Sequence, residues 1–304
     1  MSGAGGGKVR FDTVLVTGGA GRLGRFVVDA LADSCAVGVL DIEAPHREVR
    51  YHEADIRDKD AVRRAVAGYQ AIIHLAGWDD GDAPDEGAYI KTNVVGAWHV
   101  FEAAAAAGIA HLVVASSSAA YGIGRHRPAE YLPVDESHPL WPRDAYGLGK
   151  ETIESMARQF AREGRFTSVC LRPTLIVRPE REAAIRAQLA LPDPDAAPPA
   201  DFTGADDVRP YGALSPTRTY VRSADAARAF RLALDYQDQA FDVFNIAAGD
   251  TMGGEATLAR LRQAWGALPE IRDPARWASM PAASTLDARR ARDRLGWEAA
   301  AGWT

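Results

Sequence analysis

Tyr146 and Lys150 stand four residues apart, and on a helix that spacing places both side chains on one face. An ammonium beside a phenol favours the phenolate, which makes tyrosine usable as a base near neutral pH. Arginine would serve poorly there, because its guanidinium is a planar fork rather than a compact charge. The chain contains 31 arginines and only four lysines, Lys8, Lys59, Lys91 and Lys150. Genome composition accounts for most of that bias, yet a lysine at position 150 is what this chemistry requires. Ser116, Ser117 and Ser118 form a second group able to hydrogen-bond a reacting oxygen.

A glycine-rich segment, Thr17-Gly18-Gly19-Ala20-Gly21-Arg22-Leu23-Gly24, offers a different chemistry. Gly18 suits a tight turn, Gly21 lets backbone approach a pyrophosphate, and Gly24 allows a helix to pack closely on a sheet. The helix N-terminus that follows would face the phosphates. Asp41 lies 23 residues after Gly18. A carboxylate at that distance can accept both ribose hydroxyls and would repel a 2′-phosphate. Glu43 adds negative charge and no arginine follows immediately, so the expected cofactor is NAD rather than NADP. Asp55-Ile56 could meet the adenine amine, or Asp55 could cap the next helix. Leu75, Ala76 and Gly77 would leave room for the cofactor, while His74 reads as a satisfied interior residue.

These residues need strands and helices in alternation. Thr13 to Thr17 is a short β-branched run, and Leu23, Phe26, Val27, Ala30 and Leu31 fall on one helical face. Further strands are expected over Ala36–Leu40, Ala71–Leu75, 111–115, 167–172 and Val243–Ala247. Helices are expected around 61–66 and over 91–107, 145–163 and 223–235. That rhythm predicts an α/β fold with a doubly wound parallel (Rossmann) sheet. Residues 10–175, with 217–249 returning, would form the dinucleotide-binding domain. Residues 176–216 and 250–304 would form a smaller C-terminal substrate-binding region. Within them, the proline- and aspartate-rich stretch 191–216 reads as a long loop or lid, and the tail 250–304 as mainly helical. The glycine-rich start, to about residue 9, reads as disordered.

Composition narrows the partners. The 304 residues are 47% hydrophobic and 25% charged, with 41 acidic against 35 basic side chains and a net charge of −6. That balance argues against nucleic acid or an anionic membrane as the main partner. Cys35 and Cys170 lie in separate apolar runs, so neither a disulfide framework nor a cysteine metal site is expected, and a cytoplasmic setting fits. No signal peptide or membrane span is legible. The acidic stretch Asp79-Asp80-Gly81-Asp82, with Asp85 and Glu86, lacks calcium-loop spacing and reads as a solvated loop over the substrate entrance rather than a metal site.

Together the segments TGGAGRLG at 17–24, HLAG at 74–77, NVVG at 93–96, SSSAAYG at 116–122 and YGLGK at 146–150 resemble the extended short-chain dehydrogenase/reductase family. LRP at 171–173, RTYVRSADAARA at 218–229 and LGW at 295–297 extend the resemblance, which covers roughly residues 12–250. It implies an NAD-dependent epimerase or dehydratase acting on sugars. By that resemblance Tyr146 is the general acid/base, Lys150 holds the nicotinamide ribose, and Ser117, with Ser118 as the fallback, bonds the reacting oxygen. Asn93 would support the active-site helix or a water near Lys150, Pro173 would pack by the nicotinamide, and Arg218 would meet a substrate phosphate unless it is a surface charge. A homodimer through the helices at 91–107 and 145–163 is also implied.

Departures from the pattern shape the expected activity. Family 4,6-dehydratases carry an Asp-Glu pair where this chain has Ser118-Ala119, so dehydration is not expected. Nucleotide-sugar epimerases often carry an asparagine where this chain has Thr174-Leu175-Ile176, and no late arginine is evident near Trp277–Ala283. Arg178, Arg181 and Arg186 could meet an anion, but with Glu180 and Glu182 among them they read as a solvated charged segment. The expected activity is epimerisation of a free or nucleotide-linked sugar through a transient ketone. Alternatives are a net dehydrogenase or reductase of a secondary alcohol and a non-catalytic NAD sensor.

Overall fold

The computed structural model describes residues 9–190, 215–300 and 302–303. The lid reading for 191–214 and the expected disorder of residues 1–8 lie outside them. The chain begins with β1 (Thr13–Thr17), α1 (Gly24–Leu31), β2 (Ala36–Asp41), β3 (Arg50–Glu53), α2 (Lys59–Val66) and β4 (Ala71–His74). After α3 (Glu86–Tyr89) come a π-helical turn over Ile90–Gly96, α4 (Ala97–Ala107), β5 (His111–Ala115), a 3-10 turn over Ser118–Tyr121, and β6 (Tyr131–Leu132). Then follow α5 (Ala145–Arg162), β7 (Thr167–Pro173), β8 (Leu175–Val177), α6 (Pro179–Leu189), β9 (Tyr220–Arg222), α7 (Ser223–Ala233) and β10 (Phe241–Ile246). The last elements are α8 (Thr257–Trp265), β11 (Glu270–Ile271), α9 (Pro274–Ser279) and α10 (Arg289–Leu295).

Seven strands make one parallel sheet in the order β3-β2-β1-β4-β5-β7-β10. Both faces are covered, which is why the strands read as near-continuous apolar runs. Val14, Val16 and Ile73 pack with α1, α7 and α10, whereas Leu15 and Ile72 pack with α2, α4 and α5 on the other side. The chain reverses its direction of winding between β1 and β4, and in such sheets ligands bind beyond the strand ends at that point.

Two expectations need correction. The helix expected over 91–107 begins earlier, at Glu86, and passes through the π turn. Asp85 caps it, its carboxylate accepting from the Ala88 N–H at 2.8 Å, and the wide turn carries Asn93 in a buried position. The tail is less than half helical: α8, α9 and α10 are short pieces, with the positive-φ glycines Gly253 and Gly254 before α8 and Gly266 directly after it. Its end returns to the sheet, where the fully buried Trp297 indole donates to the Asp225 carbonyl at 2.8 Å. Among the described residues, no helix is long and apolar enough to cross a membrane.

Candidate active site

A cleft of about 1020 Å³ runs across the C-terminal strand ends, from Asp41 and Asp55 past the glycine turn to Tyr146, Pro173 and Arg218. Gly18 follows β1, donates to the Leu40 carbonyl at 2.8 Å and has φ +72°, and a Cβ there would lie 2.6 Å from the Ala76 nitrogen. A Cβ on Gly24 would run into the Gly18 carbonyl. The turn is therefore pressed against both β4 and α1, as a phosphate-cradling turn must be.

Asp41 ends β2 with its carboxylate already oriented, accepting from the Ala20 N–H at 2.9 Å and the Glu43 N–H at 3.2 Å. Ala20 thus orients Asp41 and does not line the cleft, unlike Gly18, Gly21, Arg22, Leu23 and Gly24. Ile56 lines it, as do Leu75, Ala76 and Gly77. The capping alternative for Asp55 is overturned: Asp58 caps α2, accepting from the Asp60 and Ala61 N–H groups. Asp55 instead grips the Arg57 guanidinium, which holds its carboxyl below the usual range.

At the other end, α5 presents Tyr146 and Lys150 to the cleft, with Asp144 capping the helix through the Gly147 N–H at 2.7 Å. Lys150 donates to the Ala115 carbonyl at 2.8 Å, and its Nζ lies 5.4 Å from the centre of the Tyr146 ring. Burial pushes the ammonium down to about 8. Ser117 lines the cleft with the Tyr146 phenol and caps the Ser118–Tyr121 turn, accepting from the Ala119 N–H at 3.1 Å. Ser118 lines the same wall.

The protonation balance differs from the sequence reading, in which the lysine lowered the phenol. Burial drives Tyr146 well above the ordinary tyrosine range, the charge of Asp79 pushes further, and the nearby Ser117 hydroxyl works against both. Asp79 accepts a long hydrogen bond from the phenol at 3.4 Å. Read from sequence as part of a solvated loop, it belongs to the site. Its signal was positional: it follows β4 as the serines follow β5, its neighbour in the sheet.

Asn93 is buried but lies off the cleft wall. Its side-chain amide accepts from the Trp78 N–H at 2.8 Å and donates to the Trp78 carbonyl at 2.9 Å, and its Cβ faces Gly149 of α5. Arg218 is buried rather than a surface charge, has φ +46°, and donates to Glu255 at 3.0 Å while lining the cleft. Arg178 and Arg181 are likewise buried, so that segment is not the solvated one its charges suggested. His74 is interior as read: its Nδ1 meets the Thr17 hydroxyl at 2.7 Å, and burial pushes its pKa down to about 3.

A model of the NAD dependent epimerase/dehydratase family matches residues 14–247. The chain belongs to that family. This epimerase/dehydratase family member is 34% identical over 159 residues to an L-arabinose 1-dehydrogenase (NAD(P)(+)) from Haloferax volcanii, covering 49% of this chain and 61% of that protein. It is 28% identical over 309 residues to a UDP-glucose 4-epimerase from Streptomyces lividans, covering 93% and 90% of the two chains. A short-chain dehydrogenase/reductase superfamily protein from Agrobacterium tumefaciens, solved with bound NAD, superposes with a TM-score of 0.69 at 25% identity, covering 96% and 93%. The chain spans about half the length of several curated relatives it matches. NAD is the family's cofactor, and the open glycine turn with the oriented Asp41 fits it.

Proposed function

We propose that this family member is an NAD-dependent sugar-modifying enzyme, an epimerase of a free or nucleotide-linked sugar acting through a transient ketone. The observation that carries the reading is the buried Tyr146–Lys150 pair facing a cleft shared with the glycine turn, with Ser117 lining the same cleft. Tyr146 takes the proton of a substrate hydroxyl and later returns it. Ser117 holds the reacting oxygen, and Lys150, anchored on the Ala115 carbonyl, supplies positive charge that supports the phenolate. When bound, NAD supplies the hydride acceptor and, on return to the other face of the ketone, the donor. Arg218 and Ser118 would contact substrate, Pro173 would pack by the nicotinamide, and Asn93 acts through the turn it clamps.

The cofactor domain comprises residues 10–175 with 217–249, and the substrate region 176–216 with 250–304. Free Cys35 and Cys170 suit a cytoplasmic setting. Exposed Val95, Trp98 and Leu148, on the π turn, α4 and α5, support a homodimer through these helices, which the molecular mass from sedimentation equilibrium would test. A net dehydrogenase is the second reading. Arg276, nearest the place of the expected late arginine, donates to the carbonyls of Ser284 and Leu286 at 3.2 Å each instead of facing the cleft.

Tyr146→Phe should lower turnover by about 10²–10⁴-fold while leaving NAD affinity nearly unchanged. Turnover that survives the change sinks the assignment. Product stereochemistry by NMR over a panel of free and nucleotide-linked sugars separates the two readings: stoichiometric NADH formation would replace epimerisation with dehydrogenation.

A further inference from the structure

Asp79 is held from three directions. Its carboxylate pairs with Arg22 of the glycine turn at 3.2 Å, and Arg22 also pairs with Asp82. Its carbonyl accepts from the Tyr89 hydroxyl at 3.1 Å. The residue before it, Trp78, has both backbone polar groups taken by Asn93. The side chain is 62% exposed toward the cleft opening, yet its position is fixed from the backbone outward. From that position Oδ1 reaches the Tyr146 phenol at 3.4 Å, while the Tyr89 ring packs edge-on against the Tyr146 ring with centroids 5.8 Å apart.

Resting on the reading that Tyr146 is the acid/base group, we propose that Asp79 is a positioning residue that acts through Tyr146 and sets specificity at the reacting end of the cleft, disfavouring sugars with an anionic group beside the reacting carbon. The groups facing the phenol make the electrical balance explicit. Asp79 and Asp80, from the loop after β4, bring negative charge, and Asp144 at the start of α5 acts on Asp80. Lys150, on the same helix as Tyr146, is the positive charge at the ring, and Arg22 offsets Asp79 only in part because it is shared with Asp82. Ser117 and Tyr89 are neutral. A carboxylate or phosphate beside the reacting carbon would meet fixed like charges, whereas a neutral or amino-bearing sugar would not.

The test compares Asp79→Asn and Asp79→Glu with the NAD-loaded parent protein. Tyrosine labelled with ¹³C at Cζ, with the Tyr146 signal assigned through Tyr146→Phe, reports the phenol directly and needs no turnover. In Asp79→Asn the signal should titrate about one pH unit lower than in the parent, as removing a charge at this range predicts, and Asp79→Glu should restore it. Binding of UDP-glucose and UDP-glucuronate, which differ only at C6, supplies the second readout. The parent should favour UDP-glucose, which lacks the C6 carboxylate, and Asp79→Asn should narrow that preference about tenfold, equivalent to about 1.4 kcal/mol. An unchanged titration together with an unchanged preference overturns the proposal. Turnover surviving in Tyr146→Phe would instead remove the functional reading, leaving the NMR titration to decide what Asp79 does to the phenol.

Discussion

Glu154 and Arg172 form a two-pronged ion pair behind the candidate active site, with Nε and Nη2 each 2.7 Å from a carboxylate oxygen. Both side chains are at most 3% exposed. Ser116 donates to the same carboxylate at 2.5 Å, and the Tyr121 hydroxyl lies 2.8 Å from Arg172 Nη1. The pair therefore ties α5 to β7 and to both ends of the serine-rich turn.

Removing one partner leaves a buried charge without compensation. Glu154→Ala should cost about 3–5 kcal/mol, whereas replacing both residues with apolar side chains of similar volume should recover much of it. Urea unfolding measures the difference, and equal losses in the single and double variants would show that the pair is not what holds these elements.

Cofactor choice rests on Asp41. Asp41→Ala combined with Ile42→Arg should shift kcat/KM toward NADP by about tenfold or more, because a repelling carboxylate gives way to a cation at an exposed neighbour. Steady-state kinetics with both cofactors decide it, and an undiminished preference for NAD would place the ribose contact elsewhere.

Lys150 gives the alkaline side of the pH profile. With its pKa near 8, the ammonium is charged below that pH and loses its charge above it, so activity should fall as pH rises through this region. Lys150→Arg stays charged throughout, so its residual activity, about 10²-fold lower, should lack that limb. A limb that persists in the arginine variant belongs to another group.

Acid stability has a separate origin. His111 Nε2 meets the Ala233 carbonyl at 3.0 Å and Nδ1 meets the Thr167 hydroxyl at 2.7 Å, and burial pushes its pKa down to about 4. Between that value and the ordinary histidine range the unfolded chain binds the extra proton, so stability falls as pH drops through the window and is insensitive to this group above it. The slope is about 1.4 kcal/mol per pH unit for one histidine. Denaturant unfolding of His111→Gln should show a shallower acid loss than the parent. His74, with its pKa near 3, adds a similar dependence that the substitution leaves in place.

Six strands of the sheet were legible because they are largely apolar runs bounded by turn residues, whereas the polar edge strand β3, Arg50-Tyr51-His52-Glu53, carries no such signal. The glycine turn was legible because its strand and helix flank it. Tyr146, Lys150 and Ser117 were legible for a different reason, since a fixed spacing on a helix and a fixed place at a strand end already imply geometry. Asp79 was not, because a carboxylate in an acidic loop looks solvated until Asn93 and Tyr89 are seen fixing the backbone around it. Arg178 and Arg181 failed in the same way, since burial of a charge comes from the packing of distant segments and leaves no local pattern. The π turn escaped notice because its residues fit an ordinary helical period.

The return of Trp297 to the sheet bears on how the protein is made. Val9 and Phe11 at one end of the described chain share a single apolar cluster with Leu295 and Trp297 at the other. During synthesis that cluster cannot close until the chain has been made through Trp297, so β1 and α1 must wait beside unpartnered apolar surface. Contacts of such long sequence separation slow folding and prolong exposure of that surface. The core beneath the glycine turn is thus closed only once residues 295–297 have reached it.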